Sequence, residues 1–355
     1  MSARTAARQA RRRPLPDRQL SGWRRQLDSE KVRLPAIILA AIVIGIAIPL
    51  LASGNIFEAT SALIYMLFAL SVNVLFGWTG LPSFGQAAFF GIGAYAAALI
   101  GPSASPLLPL AAGALIATVA SLGVALVLLR STGMAFAMFT LAFAQILYEV
   151  AENNDSIGGD TGALLDSRGR IFGLNLLGDT SFWWYTLVIV VVFTLALRHL
   201  HGSSLGAAMR AVRQDPARAA ALGISVRRIR TVAFAISAGV GAVAGGLFGQ
   251  LNGIADPADD LFWTLSGSVL LMVILGGMYG FWGPAVGAVI YTIASTELLN
   301  YKINQNLAMG GGLLVVFLVF PGGVVGVFHA TRRWLGHGWS VLRRGEAAGK
   351  ESRSE

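Results

Sequence analysis

Long stretches of this chain carry almost no charge, and that property decides what it can fold into. Residues 35–52, 59–77, 83–100, 107–129, 134–151, 183–197, 231–253, 262–280, 283–300 and 306–322 are nearly charge-free, with only Glu149 and Glu297 well inside them. Most run to roughly 17–25 residues, the length a helix needs to cross the hydrocarbon core of a bilayer. Lipid offers no partners to backbone N–H and C=O groups, so each stretch must satisfy its own as a helix. Only 13% of the residues are charged, about half the share in a soluble domain. The expected fold is an all-α polytopic membrane protein of about ten transmembrane helices. Ten spans divide as five plus five, and an odd number per half allows two inverted five-helix halves.

The charges that remain are segregated. Basic residues gather in 4–33, 198–230 and 332–353, and acidic residues in 152–182 and 253–261. Cytoplasmic loops carry an excess of Lys and Arg. With the N-terminus inside and ten crossings, every basic segment falls inside and both acidic loops fall outside. The net charge of +9 is then a consequence of topology and does not argue for a nucleic-acid partner. A membrane domain over 34–328 is expected between basic cytoplasmic tails, 1–33 and 329–355, that meet anionic lipid headgroups. The absence of Cys excludes disulfides and Cys-based metal sites. A signal peptide would need an n-region of more than about thirty residues, so the first span is expected to be retained.

The basic loop SSLGAAMRAVRQDPARAAALGISVRRIR, 203–230, is patterned for structure. Arg210, Arg213, Arg218, Arg227, Arg228 and Arg230 face a single acid, Asp215. Ala-rich residues 205–213 suit one short helix. Asp215 then offers an N-cap oxygen, Pro216 suits the first helical position and Gly223 the position past the end. A loop that only connects two spans needs no caps, so this pair of helices reads as a surface shaped for docking. The alternative is a solvated basic connection that merely obeys the charge rule.

Inside the spans, Ser237, Gly241, Gly245, Gly249 and Gly253 recur every four residues, with shorter echoes at Gly276/Gly280 and Gly283/Gly287. Such small-residue faces let helix backbones approach closely in lipid, which predicts helix packing at Gly241, Gly245 and Gly249. Polar residues within spans are few: Asn73, Ser83, Gln86, Tyr95, Thr140, Gln145 and Glu149. Groups of this kind usually face a bundle interior or a water-filled path, and a substrate path is one reading of them. Gly80–Leu81–Pro82–Ser83 interrupts the apolar run and predicts either a turn or the start of a short or re-entrant helix.

The search for catalysis is negative. His199, His201, His329 and His337 fall at span ends or in tails, and no HExxH or Ser–His–Asp pattern can be drawn. Gly349–Lys350 has neither the glycine nor the Ser/Thr of a phosphate-binding loop. No enzyme activity, cofactor or metal is expected.

Several blocks in order carry a family resemblance: GWTGLPSFGQAAFFGIGAYAAALI (77–100), TGMAFAMFTLAFAQILYEVAENNDSIGGDTG (132–162), the 203–230 loop, VLLMVILGGMYGFWGPAVGAVI (269–290) and VFPGGVVGV (319–327). Over residues 35–328 the chain resembles the permease subunits of branched-chain amino-acid ABC importers, the hydrophobic amino-acid uptake group, and the longer of its two paired permeases. The resemblance implies a bacterial inner-membrane protein that pairs with a sister permease, two cytoplasmic ATP-binding subunits and an extracytoplasmic substrate-binding protein. It implies that 203–224 is the ATPase coupling loop, with Arg210, Arg213, Asp215, Pro216, Arg218, Leu222 and Gly223 shaping the contact. Relatives commonly carry an acid where this chain has Ala220 and Ala221, so here the contact rests on shape and on Arg218. Many also carry His in place of Gln86. The group includes permeases for urea, short-chain amides and carboxylates, and these stay open as substrates. An ion-coupled secondary transporter is the rival from another class, but it needs ionisable residues near mid-membrane, and Glu149 and Glu297 are not well centred.

Overall fold

The computed structural model of the protein describes residues 55–101, 105–165, 168–171 and 174–300. The chain divides into two units, 1–53 and 54–355, and every described residue belongs to the second. The expected spans 35–52 and 306–322 and both tails lie outside the described residues.

The described chain is almost entirely helical. Its elements are α1 (Ile56–Thr79), α2 (Gln86–Ile100), α3 (Leu107–Leu128), α4 (Met134–Glu152), α5 (Asp179–Gly202), α6 (Ser204–Gln214), α7 (Pro216–Ala221), α8 (Val226–Asn252), α9 (Pro257–Asp260), α10 (Trp263–Gly276) and α11 (Gly283–Asn300). Six stretches among the described residues are long and apolar enough to cross a membrane: α1, α3, α4, α5, α8 and the joined Pro257–Gly276 segment. The fold is that of an all-α polytopic membrane protein.

Two expected spans are shorter than the sequence implies. The 83–100 span begins as helix only at Gln86, because residues 80–85 are non-helical. Its 15 residues reach about 22 Å at 1.5 Å per residue. The 262–280 span ends at Gly276, where Gly277 turns the chain at φ 106°. The first is shortened at its start by the break, the second at its end by Gly277.

Of the six membrane-length stretches α1 and α8 are the most enclosed, and α8 packs along α2, α3 and α1. Small residues make this approach possible. A Cβ on Gly245 would sit 1.8 Å from the Phe90 carbonyl oxygen, and one on Gly93 would sit 1.8 Å from that of Ala242. The helix backbones touch there. A Cβ on Gly249 would sit 3.1 Å from the Ala94 carbonyl oxygen, whereas one on Gly241 would find ordinary contact, 3.5 Å from Phe68 and Ser71. Gly253 serves a different purpose, capping α8 in the left-handed conformation. The stripe therefore has one face against α2, another toward α1, and a terminator. Around it a core of Phe68, Phe89, Phe90, Phe136 and Phe234 fills the bundle. The helices α3, α4 and α5 turn Leu115, Val119, Met138, Ile146 and Val188 outward, as lipid-facing helices do.

The two acidic loops meet at one end of the helices. Strand β1 (Ala163–Leu164) pairs antiparallel with β4 (Ile254–Ala255), and β2 (Arg170–Ile171) pairs with β3 (Leu174–Asn175). Arg168 pins this assembly. Its Nε and Nη2 donate to the carbonyls of Gln250 (3.1 Å) and Leu251 (2.8 Å) at the end of α8, and its Nη1 pairs with Asp179 at 3.1 Å. The 24 residues of α5, about 36 Å long, separate this acidic end from the basic α6–α7 end.

Candidate functional site

The basic loop is a folded pair of helices. Ser203 accepts from the Gly206 N–H at 3.3 Å and caps α6. Asp215 then separates α6 from α7, its Oδ1 accepting from Arg218 N–H at 2.9 Å, with Pro216 at the start of α7. Gly223 lies at φ +85° with open space around it, and its N–H and that of Ile224 close the end of α7 on the carbonyls of Ala220 and Ala219. An L-residue with a β-branch fits that left-handed position poorly.

One face of the pair is docked. Gly206, Met209 and Val212 of α6 are buried, and α6 lies against α1, α5 and α8. Only Ala219 of α7 is buried. Pro216, Ala217, Arg218, Ala220, Ala221 and Leu222 are exposed, Leu222 by 76%.

The arginines, alike in sequence, divide by role. Arg210 donates to the His201 carbonyl at 2.7 Å. Burial, then the neighbouring charge of Arg213, lowers its pKa from the usual guanidinium value. Arg213 donates to the carbonyl of Gly77 in the last turn of α1 and stacks over Tyr279, 4.7 Å from the ring centre. Arg227 donates to Leu126 in the last turns of α3 at 3.1 Å. Arg218 points outward, its only ion pair among the described residues a 3.6 Å contact with Asp215. Thus Arg210, Arg213 and Arg227 anchor the module while Arg218 remains presented.

The anchor reaches a network at the basic end of the bundle. Trp78 of α1, His201 of α5 and Phe281 pack ring to ring, with Trp78–His201 centroids 4.8 Å apart and His201–Phe281 5.8 Å apart. Arg198 lies over Phe281 at 5.4 Å. The Asn73 amide joins the same network, its nitrogen donating to Met278 O (3.1 Å) and its oxygen accepting from Trp78 Nε1 (3.3 Å) in the orientation that satisfies both. A Cβ on Gly77 would strike the end of the Asn73 amide at 1.8 Å and Met278 O at 2.5 Å. The α6 anchor, the end of α1 and the 277–282 connection between α10 and α11 are therefore one packed unit.

Beside it, the chain break between α1 and α2 is held by hydroxyls. Freed N–H groups at membrane depth need partners, and α4, α10 and the break itself supply them. Phe84 N–H donates to Thr140 at 3.1 Å, Gly85 N–H to Ser83 at 3.2 Å and Ala87 N–H to Ser266 at 2.7 Å. Ser237 bridges Ser71 O (2.8 Å) and Gln86 Oε1 (3.2 Å), while Gln86 Nε2 is buried without a partner among the described residues.

The polar residues expected to line a path are thus not gathered in one place. Ser83, Gln86 and Thr140 share the break. Asn73 belongs to the network around 277–282. Tyr95 lies in a separate small cluster with Ala151, Ala163, Ala255 and Leu261. Gln145 and Glu149 form a local pair on α4 at 3.1 Å. Ser237 and Ser266, which complete the break, were hidden among the apolar residues of their spans. No cluster of three His, Cys, Asp or Glu that could hold a metal occurs among the described residues.

Comparison with known proteins decides the family. The sequence profile described as "Branched-chain amino acid transport system / permease component" matches residues 55–321. The high-affinity branched-chain amino acid transport system permease protein LivM of Salmonella typhimurium is 31% identical over 92% of this chain and 81% of its own length. LivM of Escherichia coli K12 is also 31% identical over the same shares. The chain belongs to this permease family. LivH of Escherichia coli K12 is 32% identical over 41% of this chain and 46% of its own length, so the likeness to LivM, the longer permease, is the more extensive. No solved structure matches the chain. As a member of this family the protein is a multi-pass membrane component of an ABC transporter, not an enzyme.

Proposed function

We propose that this permease forms half of the membrane pore of an ABC importer for branched-chain or related amino acids in the bacterial inner membrane. A sister permease supplies the other half, two cytoplasmic ATP-binding subunits drive it, and an extracytoplasmic substrate-binding protein delivers solute to the acidic end. Ten crossings, with 35–52 first and 306–322 last, put both termini and the 203–224 coupling loop in the cytoplasm. The observation that carries this reading is the α6–α7 pair, capped at both starts, with one face sunk into the bundle and the other presented. A surface already ordered binds without the cost of ordering it. Asn73, Ser83, Gln86 and Thr140 are sealed in this conformation, so on this reading they meet solute only once α1 and α2 part. Tyr95, Gln145 and Glu149 act nearer the delivery end.

The ATPase contact is tested by Arg218→Glu combined with Gly223→Val. The first reverses the presented charge, and the second strains the closing turn of α7. The complex should insert normally, but pull-down of the ATP-binding subunits should fall at least tenfold. Unchanged pull-down would make the loop a connector.

Orientation is tested separately with single cysteines in this Cys-free chain. An impermeant thiol reagent added to sealed spheroplasts should label Ser156→Cys in the acidic loop and leave Ser225→Cys untouched until the membrane is opened. The reverse pattern would invert the topology.

A further inference from the structure

A cavity of about 410 Å³ opens among α1, α8, α10 and α11 at the end that carries the acidic loops. Its size falls within the ~300–1,000 Å³ of small-molecule sites. Its chemistry is one-sided. Glu58 in the first turn of α1 and Asp259 of α9 line it, and among the described residues no Lys, Arg or His does. Two of its hydroxyls have already committed their protons. Ser61 donates to Phe57 O at 3.1 Å and Thr292 donates to Ala288 O at 2.9 Å. Their oxygens are left to accept, as are those of ionised carboxylates.

An ammonium is the complement of such a wall, with three donors, one positive charge and no acceptor. A cleft lined by one sign of charge also concentrates the opposite ion. The rest of the lining includes Phe248 and Met272, which offer apolar surface for an aliphatic body. We propose that this cavity is an outer binding site for a solute that carries a primary ammonium on an apolar body. A zwitterion fits if its carboxylate stays toward the mouth, near Thr264 in the first turn of α10. A free carboxylate or a neutral amide lacks the group the wall selects. The proposal rests on the importer reading only for the direction of transport, and it narrows the solute classes open to that reading.

The test uses the reconstituted complex with a single Ser61→Cys. Ser61 lines the cavity and is 8% exposed. A cationic methanethiosulfonate added from the acidic-loop side should modify it at least tenfold faster than an anionic one of similar size. L-leucine and isoamylamine should slow that reaction, and 4-methylpentanoate, which lacks the ammonium, should not. Glu58→Gln with Asp259→Asn should remove both the charge preference and the protection. Equal rates for the two reagents, or equal protection by 4-methylpentanoate, would overturn the proposal. If Ser61→Cys does not assemble, Thr292→Cys gives the same reading. Uptake measured on the same complex separates the two claims. The protection pattern without uptake of any amino acid would sink the importer reading and leave the cavity standing. Normal leucine uptake without protection would sink the cavity alone.

Discussion

Replacing Gly245 by leucine is expected to abolish the assembled permease, while Gly241→Ala leaves it intact. Both glycines stand on the same four-residue stripe, yet their surroundings differ by a decisive margin. The first side-chain carbon at Gly245 would lie 1.8 Å from the Phe90 carbonyl oxygen and 2.6 Å from its carbon. Those atoms are backbone of α2, so no side-chain rotation relieves the clash and the helices must separate. Overpacking of a core costs typically ~1–3 kcal/mol and occasionally more, and separation of α2 from α8 would also expose the buried hydroxyls at the α1–α2 break. At Gly241 the same carbon meets Phe68 and Ser71 at 3.5 Å, a normal contact. Size-exclusion profiles and thermal midpoints of the detergent-solubilised complex read this directly. Assembly of Gly245→Leu at the wild-type level would mean that α2 and α8 do not touch there.

Arg213→Ala is expected to reduce solute uptake by about tenfold or more without dissociating the complex. The side chain joins α6 to the Gly77 carbonyl and to the Tyr279 ring. A hydrogen bond from a charged group is worth about 1.5–3 kcal/mol, and an exposed cation–π contact about 0.5–1 kcal/mol. Each ~1.4 kcal/mol is a tenfold change in population, so the docked arrangement of α6 would lose about one and a half to three powers of ten. The buried faces of Met209 and Val212 keep the helix on the bundle, and the exposed face of α7 is untouched. The ATP-binding subunits therefore remain, but their motion is no longer passed rigidly to α1. Arg213→Lys, which keeps the charge but not the planar fork, should fall between the two.

Much of this was readable because membrane insertion imposes simple rules. Spans, caps and the segregation of charge are each local properties, and Asp215, Pro216 and Gly223 sit where those rules place them. What escaped was whatever depends on distant partners. Strands of two residues, such as Ala163–Leu164 against Ile254–Ala255, have no period to detect. Arg168 stands in an acidic loop, and nothing nearby shows that the end of α8 will accept its hydrogen bonds. Ser237 and Ser266 read as small apolar-span residues until a broken helix arrives with free N–H groups. Glu58 and Asp259 lie 201 positions apart, so their meeting in one cavity follows from packing alone. Likewise, spacing marks Gly241 and Gly245 as equivalent, and only the neighbouring helices tell them apart.

The claim at the centre of this account is that α6 and α7 carry the work of ATP hydrolysis into α1 and the 277–282 connection. Substrate-stimulated ATPase activity of the reconstituted complex, compared between wild type and Arg213→Ala with the loaded binding protein present, tests it most directly. The account predicts that Arg213→Ala retains its ATP-binding subunits and basal hydrolysis but loses most of the stimulation together with uptake. Wild-type stimulation and uptake in Arg213→Ala would contradict it.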